Sequence, residues 1–348
     1  MHKIIRVIIL LIGVTFITQA CASSSPKPGE MPDLGTIKIG YVPAGGGTAA
    51  IYIAADKGLF AEKGLNVELE RFNSGSKMIA PLSTGQLDVG AGEVGTTLFN
   101  AINQELNMKV VCSFAGLSEG YGGAQFLVLK DLSDSGEIAA PADLAGRKVG
   151  INVPRGMAEY RVAKVLEKDG LSIEDVELVS LPFPDMPSAF ANNAIDAATI
   201  PETLGGRAIK EGSAAVFFEG DEIAGDIQTA VMYFGKRFLD PANKEVAVRF
   251  LEVYLTQLRE LIQDPGYIDE ENLEIIMKYT NTPAEVIKSS KNSYFDPNCE
   301  FFEESVEDAQ NYYVSRGYTE YSQPLPLSEV IDRTFMDEAL NRIGEYQK

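Results

Sequence analysis

The chain has no tryptophan, a single histidine at position 2 and only three cysteines among 348 residues. So few cysteines exclude a disulfide scaffold, and His2 lies in a segment argued below to be removed. Without it no imidazole is left for a catalytic triad, a histidine-ligated zinc or proton transfer near neutral pH. Cations are scarce as well: 30 Lys and Arg face 50 Asp and Glu, a net charge of −20. No Lys/Arg run offsets that charge, so the surface would repel a phosphate backbone and nucleic acid is excluded as a partner. No segment beyond the N-terminus stays apolar for the ~20 residues a membrane helix needs.

What is present describes a globular chain. Its 45% hydrophobic and 23% charged residues, with 32 Gly and 17 Pro, match ordinary folded proteins and neither disordered nor collagen-like ones. At roughly 100 to 200 residues per domain the length predicts two domains or lobes. Residues 1–20 carry Lys3 and Arg6, an apolar run from Val7 to Ile17, then small or polar residues, the order of a signal peptide. Cys21 closes that segment and resembles the cleavage site of bacterial lipoproteins, with Thr18 where that family usually has Leu. The resemblance implies that Cys21 is acylated and that 21–35, rich in Ser and Pro, is a tether; plain secretion is the alternative. Loss of Lys3 and Arg6 leaves 28 cations against 50 anions, a charge of −22 on a domain held outside the cytoplasmic membrane. An oxidising compartment would permit Cys112 and Cys299 to pair. Cys112 lies in an apolar run and Cys299 in a turn 187 positions later, however, and two unpaired thiols are the expectation.

From residue 36 short β-rich runs alternate with helical ones, the pattern of an α/β fold made of βαβ units. Strands are predicted at 37–42, 66–71, 89–91, 109–113, 125–129, 148–151, 177–180, 197–200, 215–218 and 229–234. Helices are predicted at 49–57, 76–83, 96–103, 158–168 and 187–192. After about residue 240 the texture changes: Val246, Phe250, Val253, Tyr254, Leu258 and Leu261 recur at helical spacing, and the C-terminal third reads as mostly helix. Segments 33–106 and 148–209 repeat one order of elements, with Asp88 and Asp196 at matching turns that read as structural, so two similar lobes are expected.

Six runs carry a resemblance. YVPAGGGTAA begins at Tyr41, AADKGLFAEKGLNVE at Ala54 and LSTGQLDVG at Leu82; LAGRKVG begins at Leu144, LPFPDMPSAF at Leu181 and IDAATIPE at Ile195. In order and spacing they resemble the nitrate, sulfonate, taurine and thiamine-precursor group of ABC-transporter solute-binding proteins, over residues 36–240. That resemblance implies two Rossmann-like α/β lobes joined by two crossovers, the periplasmic-binding-protein type II arrangement, with a helical C-terminal part. It implies lobe one from 36–122 with 229–348, lobe two from 123–228, crossovers near 121–126 and 226–231, and a ligand held between the lobes. One departure bears on the ligand. Where many members have Trp-Glu-Pro, this chain has Pro201, Glu202 and Thr203, so an aromatic wall is missing.

The loop ending in Gly46, Gly47 and Thr48 runs from a strand into a helix, where free amides and the positive helix end favour an anionic or polar group. A flexible turn without ligand is the plain alternative, and the Gly-Lys-Ser/Thr ending of nucleotide loops is absent. Ser74 and Ser76, and Glu93, Gly95 and Thr96, stand at two more loops beyond strand ends, as ligand contacts or as helix caps. Arg155, with Gly156 and Met157, would offer a forked cation to a carboxylate, sulfonate or phosphate, or pair with a surface acid. Tyr121, among glycines at the first crossover, would stack on a planar ligand, with Asp185 and Glu202 on the opposite wall. Glu202 accepting from an amino or imino group would favour a zwitterion or heterocycle; as a hinge or cap acid it would not touch the ligand.

The expected protein is a monomeric, lipid-anchored, extracytoplasmic binding protein without catalytic residues, metal or cofactor. It would deliver a small polar organic solute (a sulfonate, a carboxylate or a heterocyclic vitamin precursor) to an ABC permease. A sensor presenting the same closed, liganded shape to a membrane receptor is one alternative. An enzyme of the same fold is another, although the pyrimidine synthase of thiamine assembly needs a histidine and a cysteine-rich iron motif that this chain lacks.

Overall fold

The computed structural model describes residues 35–43, 47–262, 268–289 and 293–347. The predicted signal peptide, Cys21, most of the tether and Gly46 lie outside the described residues. All ten predicted strands form: β1 Thr36–Tyr41, β2 Asn66–Arg71, β3 Val89–Glu93, β4 Met108–Leu117, β5 Ala124–Leu129, β6 Lys148–Ile151, β7 Glu177–Ser180, β8 Ala197–Pro201, β9 Ala214–Phe218 and β10 Ile227–Gly235. Among the described residues the longer helices are α1 Gly47–Asp56, α2 Thr96–Asn103, α3 Met157–Glu167, α4 Glu202–Lys210, α5 Lys244–Ile262, α6 Glu270–Thr280, α7 Glu303–Ser315 and α8 Thr334–Ile343. Helix α4 is not among the predicted helices and contains Gly205 and Gly206. It forms where Gly205 lets the helix lie close on Gln125 and Leu127 of β5.

The strands build two five-stranded sheets, ordered β2-β1-β3-β10-β4 and β7-β6-β8-β5-β9. In the first, β1 pairs parallel with β2 and β3, while β10 runs antiparallel to β3 and β4. In the second, β6 pairs parallel with β7 and β8, while β5 runs antiparallel to β8 and β9. The two orders coincide position by position. The reversed strand in each sheet is the first one after the chain changes sheet, over 118–123 and 219–226. A chain leaving β4 at its carboxyl end enters the other sheet from the edge where β6 and β8 finish, and so runs against them. The return passes through the helical turn Gly220–Ala224, and pairing resumes at Ile227, early in the expected 226–231 crossover.

Asp88 and Asp196 hold the two halves in the same way. The Asp88 amide donates to the Lys38 carbonyl and its Oδ2 accepts from the Lys38 amide, both at 2.9 Å; Asp196 repeats this with Lys148 at 2.8 Å. Each carboxylate thereby fixes a parallel strand beside its neighbour, β3 on β1 and β8 on β6.

The core of the first sheet is completed by α5, which buries Val246, Phe250, Leu251, Tyr254, Leu255 and Leu258 against α1 and α8. In the second, β5 is buried at every position. Among the described residues no helix is long and apolar enough to cross a membrane.

Cys112 and Cys299 form a disulfide, with Cα atoms 5.3 Å apart, where the sequence predicts two free thiols. The chain after 292 folds back along β4, an edge strand, with Tyr294 and Gly116 exchanging backbone hydrogen bonds at 2.9 Å. Cys299, in a left-handed turn at φ 56°, is carried to that edge beside Cys112. Spacing along the chain holds no sign of this return.

Candidate functional site

Two helix N-termini stand at equivalent places, α1 after β1 and α3 after β6. Both lie beyond the carboxyl ends of parallel strands, where ligands gather in open α/β sheets.

The N-terminus of α3 is met by Glu93, the last residue of β3. The Met157 amide donates to the Glu93 carboxylate, and a Cβ on Gly156 would lie 2.8 Å from Glu93 Oε1, so glycine is what lets the acid approach. Free amides and the positive helix end favour a carboxylate there. Burial pushes the Glu93 carboxyl up from its ordinary range, against the pull of the Met157 amide and the Arg161 charge. Arg161, further along α3, is 7% exposed and its Nε has no hydrogen-bond partner. Burial pulls Arg161 down to about 10, with Glu93 opposing. Beside this contact the Thr96 hydroxyl, at the start of α2, donates to the Arg155 carbonyl at 2.9 Å. Loops of the first sheet therefore touch the α3 loop of the second directly, and Thr96 reaches across instead of capping its own helix.

Arg155 itself is exposed, with a left-handed backbone at φ 60°. Its amide donates to Glu159 Oε2 at 2.7 Å, and its guanidinium stands 5.1 Å from the ring centre of Tyr318. The forked cation expected for the ligand is thus stacked on a C-terminal tyrosine. Helix α7 supplies further contacts to both sides. Tyr313 donates to the Val94 carbonyl at 3.1 Å, and Tyr312 donates to Glu159 Oε1 at 3.2 Å. Asp308 accepts from the Tyr160 hydroxyl and pairs with Lys164, both at 2.6 Å.

At the other helix, Gly47 and Thr48 are buried in the first turn of α1. A Cβ on Gly47 would sit 2.6 Å from the Phe114 carbonyl oxygen and 3.2 Å from the Tyr254 hydroxyl, so a larger residue does not fit. Ser74 and Ser76 bond to each other through their hydroxyls at 3.0 Å, on a turn packed against β3. Tyr121 meets the Tyr294 ring edge-on at 5.2 Å. Glu202 Oε2 accepts from the Gly123 amide and the Glu202 amide donates to the Gly123 carbonyl, both at 3.3 Å.

The structure therefore gathers Glu93, Gly95, Thr96, Arg155, Gly156 and Met157 into one group, ties Glu202 to Gly123, and sets Tyr121 against Tyr294. Gly47 and Thr48 form a third position, and Asp185 is exposed at the end of the turn Phe183–Asp185, outside these hydrogen-bonded groups. Sequence reasoning missed Glu159, Arg161, Tyr254 and Tyr312, which sit on helical faces and read as core or surface, and Tyr318, in the loop that follows α7. The one available signal was a pair of polar groups, Tyr254 and Gln257, on the apolar face of α5. Among the described residues no group of His, Cys, Asp and Glu is placed to hold a metal ion.

The taurine-binding periplasmic protein of Escherichia coli K12 is 27% identical over 147 residues, 42% of each chain. The chain spans about half the length of the curated relatives it matches. The periplasmic nitrate-binding protein NrtA of Synechocystis PCC 6803 has the same fold at a TM-score of 0.69 and 15% identity, over 90% of each chain. So does the desulfurization enzyme DSZB, at 0.60 and 14%, over 88% of this chain and 99% of its own. Residues 47–268, more than half of the sequence, match the family described as NMT1/THI5 like, and the chain belongs to that family.

Proposed function

We propose that this protein is an extracytoplasmic solute-binding lipoprotein of an ABC importer, holding a small polar organic solute between two lobes. Lobe one comprises 36–122 with 229–348 and lobe two 123–228; residues 1–20 are a signal peptide, and Cys21 carries the lipid that anchors a monomer through the tether 21–35. One observation carries the reading. Among the described residues two chain passages join the sheets, which touch through loops at the mouths of their strands, Thr96 on Arg155 and Glu93 on Met157. Two bodies so joined hinge about the passages, and a solute that contacts both stabilises the closed form. The ligands named for the taurine- and nitrate-binding relatives support a small polar solute.

The test is uptake and binding together. Purified chain from residue 21 should be stabilised by a member of a broad metabolite library, about 2.7 kcal/mol at 100 times its Kd, and small-angle scattering should show it contract. Deleting the gene should abolish uptake of that solute. Chemical turnover of the bound solute would move the assignment to the enzyme reading that the shared fold of DSZB keeps open. A mature N-terminus without acyl mass would remove the anchor.

A further inference from the structure

We infer that the hydroxyl of Tyr254 is a ligand-binding group of the interlobe site and selects a solute with an oxyanion head, a sulfonate or carboxylate. The inference rests on the solute-binding reading and adds to it a ligand-contacting residue from the C-terminal helices.

Tyr254 is 0% exposed, yet its hydroxyl has no hydrogen-bond partner. Buried phenols are nearly always paired, so an unpaired one marks a group waiting for a partner. Its direction is fixed, because the ring lies nearly parallel to Phe114 at 5.9 Å, with an interplanar angle of 15°. The hydroxyl is aimed at the start of α1, 3.2 Å from the point a Cβ on Gly47 would occupy. That helix is ten residues long and has no acidic residue in its first turn, so its unpaired amides and positive end are not neutralised by its own side chains.

Phe114 lies toward the carboxyl end of β4, which is parallel to β1 through the reversed β10, and so marks the edge of the sheet that faces the second one. One turn further along α5, Gln257 is 1% exposed with both carboxamide atoms unpaired. Burial raises the Tyr254 phenol far above neutrality, so it stays protonated and donates. Donors converging on a helix N-terminus suit an oxyanion.

The experiment uses the mature chain and Tyr254→Phe, which removes one oxygen and leaves the ring stacked. Calorimetric titrations use taurine, methanesulfonate, acetate and sulfate, with choline and ethanolamine as cationic controls. At least one oxyanion should bind the wild type and lose about tenfold in affinity in Y254F, the worth of a hydrogen bond to a charged group. Ligand-free Y254F should melt no lower than wild type, since the lost hydroxyl had no partner. Equal affinity in both proteins, or binding of cations alone, overturns the assignment. If no oxyanion binds, Tyr254 is again overturned, and the metabolite library shows whether solute binding fails with it.

Discussion

Helices α1 and α3 begin at equivalent points of two sheets with the same strand order, but their N-termini have opposite fates. The N-terminus of α3 already holds a carboxylate, Glu93 from the other sheet, and Glu159 takes the Arg155 amide just before it. The N-terminus of α1 faces the Tyr254 phenol, which makes no hydrogen bond within the protein. Equivalent backbone geometry therefore gives one end that ties the sheets together and another left for an outside group. The electrostatics of a helix end set what it attracts, and the side chains that reach it decide whether the place is taken.

The halves also differ in how they are held, and this gives the largest expected effect. Only the first sheet carries the Cys112–Cys299 bridge. Replacing both cysteines by Ala should cost about 2 to 5 kcal/mol, since the bridge closes a very long loop. Urea unfolding measures the loss, and hydrogen exchange should place it in β4 and its neighbours. Equal loss of protection in both sheets would mean that the halves unfold as one unit.

The paired aspartates sharpen the same contrast at smaller scale. Asp88 is fully buried and lies 3.3 Å from Arg237, whereas Asp196 is half-buried. Asp88→Asn should cost about 2 to 4 kcal/mol, because its amide donor would face either the Arg237 guanidinium beside Oδ1 or the Lys38 amide beside Oδ2. Asp196→Asn should cost about 1 kcal/mol in the same denaturation assay, its carboxylate being more accessible to water. Similar costs would show that burial does not separate them.

That much of this comparison was legible in the sequence has a physical reason. Strand runs such as AQFLVL at Ala124 and the acids before VGAG and AATI are local signals, and all ten strands formed where such signals stood. Reversal of β5 and β10 follows from the chain changing sheets. Other features depend on long-range return of the chain, which no local pattern encodes. Cys299 reaches Cys112, Tyr318 stacks under Arg155 and Tyr254 points at Gly47 only because the C-terminal part folds back over the first sheet. Candidate residues at strand ends were readable from glycines and hydroxyls; whether each place was free or filled was not.

Thr96 tests whether the occupied helix end acts as a closure. Its hydroxyl donates to the Arg155 carbonyl between the two sheets. Thr96→Val keeps the shape and removes that bond, and should favour the open form by about 1 kcal/mol, roughly fivefold in the closed-to-open ratio. Scattering of the ligand-free protein should show a larger radius of gyration. An unchanged radius with unchanged solute affinity would make the Thr96 bond incidental to closure.

The smallest effect concerns Glu93, and its sign distinguishes a tie from a mere contact. Burial holds its carboxyl above the ordinary glutamate range in the folded protein, with the Met157 amide and Arg161 pulling the other way and the neutral phenols of Tyr233 and Tyr313 nearby. A raised folded value means that the folded state keeps the proton more strongly than the unfolded chain does. The stability it contributes is complete below the ordinary glutamate range and is lost as pH rises through the raised value. Glu93→Gln resembles the protonated form and still offers an oxygen to the Met157 amide. In melting curves taken from pH 4 to pH 8, wild type should lose more stability with rising pH than E93Q, and the variant should melt slightly higher at neutral pH. A variant that melts lower at neutral pH would show that attraction to Arg161 outweighs burial, and the end of α3 would then be held by an ion pair.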